Sequence, residues 1–211
     1  MIEGLKKVIA LAPHPDDVEF GCGGTVKKLI ESGSEVWYVA FSPCNKSLQS
    51  EFDENKLFEE LKMSITHLGI TEERLITYDY PVREFPVNRQ LILENLVALN
   101  KQIAPDLVFL PNSKDVHQDH QTIHCEGVRA FKNTRMVGYE MPWNSFTFTN
   151  NMHCILEDVH LEAKVKALSE YESQNYRNYK DDDFIKGLAK VRGTQIGVDY
   201  AEAFENIRWI I

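Results

Sequence analysis

The stretch Lys7-Val-Ile-Ala-Leu-Ala-Pro-His-Pro-Asp-Asp-Val-Glu-Phe-Gly-Cys-Gly-Gly24 sets the architecture of the chain. Its first part, Lys7 to Ala12, is a short apolar run of the kind that fills a buried strand, and Gly21 to Ser32 has the spacing of an amphipathic helix closed by Gly33. Between them Pro15 holds His14 in extended backbone, so the strand cannot run on into a helix. Outward from this unit the same alternation returns. Strands are expected at Glu35 to Ser42, Leu75 to Tyr80 and Asp106 to Leu110, with helices at Asp53 to Leu68, Val87 to Ile103 and Gln118 to Phe131. Strands that alternate with helices imply an α/β fold: a three-layer, Rossmann-like, mostly parallel sheet with helices on both faces. Functional loops then belong at the carboxyl ends of the strands.

Past Phe131 the rhythm breaks. Met136 to Met141 and Phe146 to Leu156 resemble strands, Val159 to Tyr171 a helix, and Tyr176 to Asp183 a solvated loop, followed by an irregular C-terminal flank. No linker divides the chain, so residues 1–211 are expected to form a single domain. At 211 residues and 43% hydrophobic, the chain can bury one sizeable core. Its net charge of −9 and lack of a basic patch argue against nucleic acid and anionic membranes as partners. The N-terminal apolar run is too short for a signal peptide or a membrane span, and Cys22, Cys44, Cys125 and Cys154 form no CxxC pair. A cytoplasmic location is expected. Trp143 and Phe146 to Phe148 leave a homo-oligomeric interface open.

Two segments hold the chemistry: the one that starts the chain's first unit, and Asp115-Val-His-Gln-Asp-His-Gln-Thr-Ile-His124. Each follows a predicted strand of one parallel sheet, so both are expected at the same edge and close in space. Adjacent side chains cannot point the same way, so one of Asp16 and Asp17 can join His14 at a metal while the other stands beside an open coordination position. His117 and His120, with Asp119 between them, offer a similar division. Histidine nitrogens, one carboxylate and one exchangeable water make a catalytic zinc site. The Gly21-Cys-Gly-Gly24 run is not GxGxxG, and acids in the turn would repel a pyrophosphate, so these glycines are read as allowing close packing of helix on sheet.

These residues resemble the PIG-L or LmbE-like family of zinc-dependent N-deacetylases. The resemblance rests on His14 to Asp17, Gly23-Gly24, His117 to His120, and a tail of Arg192 to Gly197 with Tyr200 to Phe204. It implies His14, Asp17 and His120 as ligands of Zn2+ or another divalent metal. It likewise implies Asp16 as general base, and His117, oriented by Asp119, as the group that stabilises or protonates the reacting atoms as an imidazolium. The substrate implied is an N-acetylglucosamine-type amino sugar or a related small amide. Sugar-acting members often carry a Gly-rich, Arg-bearing stretch after the second strand; this chain has Ser42 to Ser50 there, and Arg83 is the candidate substrate contact. Two other functions compete: metal-dependent hydrolysis of another bond such as a phosphoester, and noncatalytic nucleotide binding.

Overall fold

In a computed structural model, which describes residues 4–210, seven strands form one sheet in the order β3-β2-β1-β4-β5-β7-β6. The strands are β1 (Lys7–Ala12), β2 (Glu35–Ala40), β3 (Leu75–Thr77), β4 (Leu107–Pro111), β5 (Arg135–Tyr139), β6 (Met152–Leu156) and β7 (Tyr200–Arg208). Pairings from β3 through β5 are parallel, whereas β7 runs antiparallel to both β5 and β6. The change of rhythm after Phe131 thus precedes the last parallel strand, β5, and the sheet turns antiparallel only beyond Tyr139. The chain builds outward from β1 in one direction through β2 and β3, then crosses back to place β4 on the other side. That reversal between β1 and β4 opens the crevice in which ligands of such sheets bind.

The period-two alternation of the strands makes two apolar cores. Val8, Ala10, Tyr38, Phe109 and Tyr139 face one side, and Ile9, Leu11, Val39, Val108 and Leu110 the other. The first face is covered by α1 (Asp17–Glu31), α2 (Lys56–Leu68), α5 (Asp158–Ser169) and α6 (Asp182–Gln195), and the second by α3 (Phe85–Ile103) and α4 (Gln118–Ala130). Among the described residues no helix is long and apolar enough to cross a membrane. Met1 to Glu3, which precede the apolar run Val8 to Pro13 weighed as a signal peptide, lie outside the described residues.

The first helix begins four residues before the expected Gly21, at Asp17, because it is broken in the middle. Cys22 has non-helical backbone (φ −153°, ψ 18°). Beyond the break, the amide N–H groups of Gly24 and Thr25 donate to the Glu202 carboxylate of β7 at 3.0 and 2.7 Å, so Glu202 caps the second half as if it were a new helix. Lys164 of α5 donates to the same carboxylate at 2.7 Å and to the Phe20 carbonyl at 2.5 Å. The glycines permit the close approach: a Cβ on Gly21 would stand 2.4 Å from the Tyr139 ring, and one on Gly24 2.6 Å from Leu156.

Two further boundaries differ from expectation. Residues 146–151 are irregular, and β6 begins only at Met152. The tail forms α6 and a nine-residue strand, β7, inserted between β5 and β6. Removing Glu202 would leave the buried Lys164 charge and two helix N–H groups without their partner. Glu202→Ala is therefore expected to cost about 3 to 5 kcal/mol in urea denaturation; a loss below about 1 kcal/mol would show that the capped break is not a structural joint.

Candidate active site

The loops after β1 and β4 meet at the crevice. Asp16 takes up left-handed backbone (φ 85°, ψ −24°), an unusual state for a residue with a Cβ, and the chain turns there into α1. The turn carries Asp17 into the first helical position, where its Oδ2 accepts the His14 N–H at 2.8 Å. In the second loop, Asp115 Oδ1 accepts the His117 N–H at 2.8 Å, and His117 Nδ1 caps α4 by accepting the Asp119 N–H at 3.2 Å. His120 then lies in the first turn of α4, buried against β4.

Three atoms from the two loops form a nearly equilateral triangle. His14 Nδ1 is 3.3 Å from Asp17 Oδ2, His120 Nε2 is 3.2 Å from that oxygen, and the two nitrogens are 3.3 Å apart. Tetrahedral ligands at about 2.0 to 2.1 Å from a zinc ion stand about 3.4 Å from one another, so this triangle has the size of three zinc ligands with a fourth position open. The far nitrogen of each ring is held by an acid: His14 Nε2 meets Asp119 Oδ2 at 2.9 Å, and His120 Nδ1 meets Asp115 Oδ2 at 2.7 Å. Such pairing fixes the ring orientation and tautomer of metal-binding histidines. His117 also approaches; its nitrogen and those of His14 and His120 lie within 4.8 Å of one another.

The protonation states express the same field. Burial pulls the His120 pKa down, but the Asp17 charge and the Asp115 hydrogen bond outweigh it and raise it to about 10. Burial likewise opposes ionisation of Asp17, and the His120 and His14 rings overcome it, so its carboxyl is held far below the usual range. The site thus favours a positive charge at the centre of the triangle, which is a property required of a divalent cation site. Asp16 behaves oppositely. Burial, then the Asp17 and Glu19 charges, push its carboxyl well above the ordinary range, with Arg177 and His120 countering.

One assignment needs correction. The Asp119 carboxylate does not orient His117: it holds His14, and it also accepts the main-chain N–H groups of Arg83 at 2.6 Å and Phe85 at 3.3 Å. Burial and then the His14 and His120 charges lower the His117 pKa to about 4, so the ring surroundings favour its neutral form. With Nδ1 accepting the Asp119 amide, the proton of the neutral ring resides on Nε2.

The cavity beside the triangle, about 150 Å³, is walled by Asp16, His117, Trp143, Asn144, Arg177 and Tyr179. Trp143 and Tyr179 stack with ring centroids 3.7 Å apart at 8°, and Arg177 donates from Nε to Gln174 Oε1 at 3.0 Å. The run Tyr176 to Asp183, expected as a solvated loop, is therefore part of the wall. Arg83 is not: its side chain is exposed, and only its main chain reaches the site, through Asp119 and the Gln118 side chain. His124 turns away and bonds the Pro111 carbonyl at 2.8 Å. Sequence reasoning missed Asp115, Trp143, Arg177 and Tyr179. Only Asp115, within reach of two histidines in its own segment, left a local signal.

Asp115→Ala is expected to weaken divalent-metal affinity by about 10- to 100-fold, measured by competition with a chromophoric chelator. His124→Ala should leave that affinity unchanged, and equal losses in the two variants would contradict the assignment of Asp115.

With the geometry established, comparison with known proteins places the chain. Residues 9–131 match the family model described as PIG-L: GlcNAc-PI de-N-acetylase. The chain is 27% identical to a diacetylchitobiose deacetylase of Thermococcus kodakarensis, covering 94% of this chain and 82% of that protein. It is 24% identical to a probable N-acetyl-alpha-D-glucosaminyl L-malate deacetylase of Bacillus cereus, over 83% and 87% of the two chains. Among solved structures, the Pyrococcus horikoshii N,N'-diacetylchitobiose deacetylase bound to an inhibitor superposes with a TM-score of 0.76 at 24% identity, covering 97% of this chain and 84% of that one. A 4-carboxy-2-hydroxymuconate hydratase from Pseudomonas putida reaches 0.75 at 15% identity, over 98% of both chains. The fold alone thus hosts more than one chemistry. Since the family match spans more than half of the residues and includes both loops of the triangle, the chain belongs to the PIG-L family of GlcNAc-PI de-N-acetylases.

Proposed function

We propose that this protein is a metal-dependent N-deacetylase that hydrolyses the N-acetyl amide of an amino sugar or a related small molecule. The observation that carries the proposal is the triangle of His14 Nδ1, Asp17 Oδ2 and His120 Nε2 beside the Asp16 carboxylate on the cavity wall. The names of the curated relatives, deacetylases of N-acetylated sugars, support the substrate class.

Two imidazoles, one carboxylate and an open fourth position suit zinc, and these three residues would hold it. A cation bound there polarises the amide carbonyl and makes a water more acidic. The remaining work falls to the chain's own groups. Among the described residues no side chain or amide hydrogen bond occupies the Asp16 carboxylate, and its affinity for protons is raised, as suits a general base. Asp16 takes a proton from the attacking water as the new C–O bond forms, then returns it to the amide nitrogen as the C–N bond breaks. His117, neutral and protonated on Nε2, donates a hydrogen bond to the oxygen on which negative charge collects. Substrate contact is assigned to the wall of Trp143, Tyr179 and Arg177 in place of Arg83; an aromatic platform beside a guanidinium suits the apolar face and hydroxyl edge of a sugar.

Metal-dependent cleavage of another bond would use the same three ligands, and the names of the relatives favour the amide over it. Asp16 and Asp17 stand at the start of α1, where a nucleotide-binding module would need to welcome phosphate. The test is acetate release from N-acetylglucosamine and N,N'-diacetylchitobiose by the metal-loaded protein, with a matched sugar phosphoester in parallel. Acetate is expected, and phosphate release without acetate would overturn the proposal. Asp16→Asn should lower kcat by about 10²- to 10⁴-fold with metal content unchanged; retained turnover would remove Asp16 from the role of base.

A further inference from the structure

Glu19 has the sequence position of an ordinary first-turn acid, yet it is fully buried, with 0% exposure. Its carboxylate accepts three hydroxyl hydrogen bonds, each 2.7 Å long: from Tyr38 of β2 to Oε2, and from Ser64 of α2 and Tyr171 after α5 to Oε1. Three other segments of the chain thus converge on one acid that lies outside the metal triangle and outside the proton transfers assigned to Asp16 and His117.

Tyr171 connects this acid to the site. Because the carboxylate accepts, the phenol proton is committed to Glu19, and the phenol oxygen keeps its lone pairs for another donor. That donor is the Asp16 N–H, at 3.1 Å. The Asp16 carbonyl is held as well, accepting the Phe20 N–H at 3.0 Å. The residue pinned from both sides is the one with φ at +85°, a conformation that costs energy for a residue with a Cβ, although less for Asp than for most. The left-handed turn is also what separates the two neighbouring acids. Asp17 goes to the imidazoles, and Asp16 remains on the cavity wall.

We propose that Glu19, acting through Tyr171, is a positioning residue that locks the Asp16 backbone in its left-handed turn and so aims the Asp16 carboxylate into the cavity. Ser64 and Tyr38 satisfy the same carboxylate but do not touch Asp16, which makes Ser64 a control of matched burial. For its activity readout the inference rests on the deacetylase reading; for its structural readout it does not.

The experiment compares Tyr171→Phe, Glu19→Gln, their double variant and Ser64→Ala in the full-length, metal-loaded protein. Expected for Tyr171→Phe and Glu19→Gln is a fall in kcat for acetate release of about 10- to 100-fold, the scale of a misplaced catalytic group, with KM changed less than about threefold and metal content intact. The double variant should lose no more than the worse single variant, since both act through one path. Ser64→Ala should lower the melting temperature and leave kcat within about twofold. Equal kcat losses in Ser64→Ala and Tyr171→Phe, wild-type kcat in Tyr171→Phe, or failure of both Tyr171→Phe and Glu19→Gln to fold would each overturn the proposal. If the wild-type protein releases no acetate, the deacetylase reading fails, and positioning is then read from a crystal structure of Tyr171→Phe. There φ of Asp16 should leave the left-handed region, and a retained value near +85° would overturn the proposal.

Discussion

The parallel pairing of β1 with β4 is the constraint on which the rest depends. Val8, Ile9 and Ala10 lie opposite Leu107, Val108 and Phe109, and this register delivers the loops that follow the two strands to one point on the sheet edge. A slip by one residue would turn every side chain of the strand to the opposite face. Val8, Ala10 and Phe109 would then lose their core, and the loops would no longer meet in register. The apolar packing of the two faces therefore also determines the size of the triangle made by His14, Asp17 and His120. This link between hydrophobic register and side-chain geometry is why residues so far apart in sequence meet, with His14 Nδ1 and His120 Nε2 3.3 Å apart.

Charge supplies the second constraint. Asp16, Asp17, Asp115, Asp119 and Glu19 crowd a small, mostly buried volume, and burying carboxylates is costly unless cations or hydrogen bonds compensate. The compensation is divided among different groups. Asp119 is neutralised by His14 and two main-chain amides, Asp115 by His120 and an amide, and Glu19 by three hydroxyls. Asp17 relies on the two imidazoles that face it. A divalent cation at their centre would replace the positive charge that protons on those rings otherwise provide, which couples metal binding to proton release. Among the described residues the Asp16 carboxylate has no hydrogen-bond partner, with only the Arg177 and His120 charges opposing its protonation, and this distinguishes it from its neighbour.

Much of this was legible in the sequence because the signals were local. The strand and helix rhythm up to Ala130, the glycines that let α1 approach Tyr139, and the two His/Asp segments each depend on residues near one another in the chain. What escaped depends on contacts across the fold. Glu202 capping the broken first helix, Asp119 serving His14 instead of His117, and Arg177 with Tyr179 walling the cavity all join residues distant in sequence. Position along the chain suggested Arg83, since it follows the third strand. There the backbone is itself left-handed (φ 69°) and directs the main chain, not the guanidinium, toward Asp119. Glu19 stands in the first turn of α1, a position an acid can occupy for the helix dipole alone, and nothing local in the sequence reveals three hydroxyls supplied by other elements.

The central claim is that β1 and β4 bring one carboxylate and two imidazoles onto a single ion. Anomalous diffraction at the zinc edge from crystals of the zinc-loaded protein tests it most directly. The account predicts a peak bonded to His14 Nδ1, Asp17 Oδ2 and His120 Nε2 at about 2.0 to 2.2 Å, with one coordination position free of protein. A peak that takes His117 in place of Asp17, or one that lies away from these two loops, would contradict it.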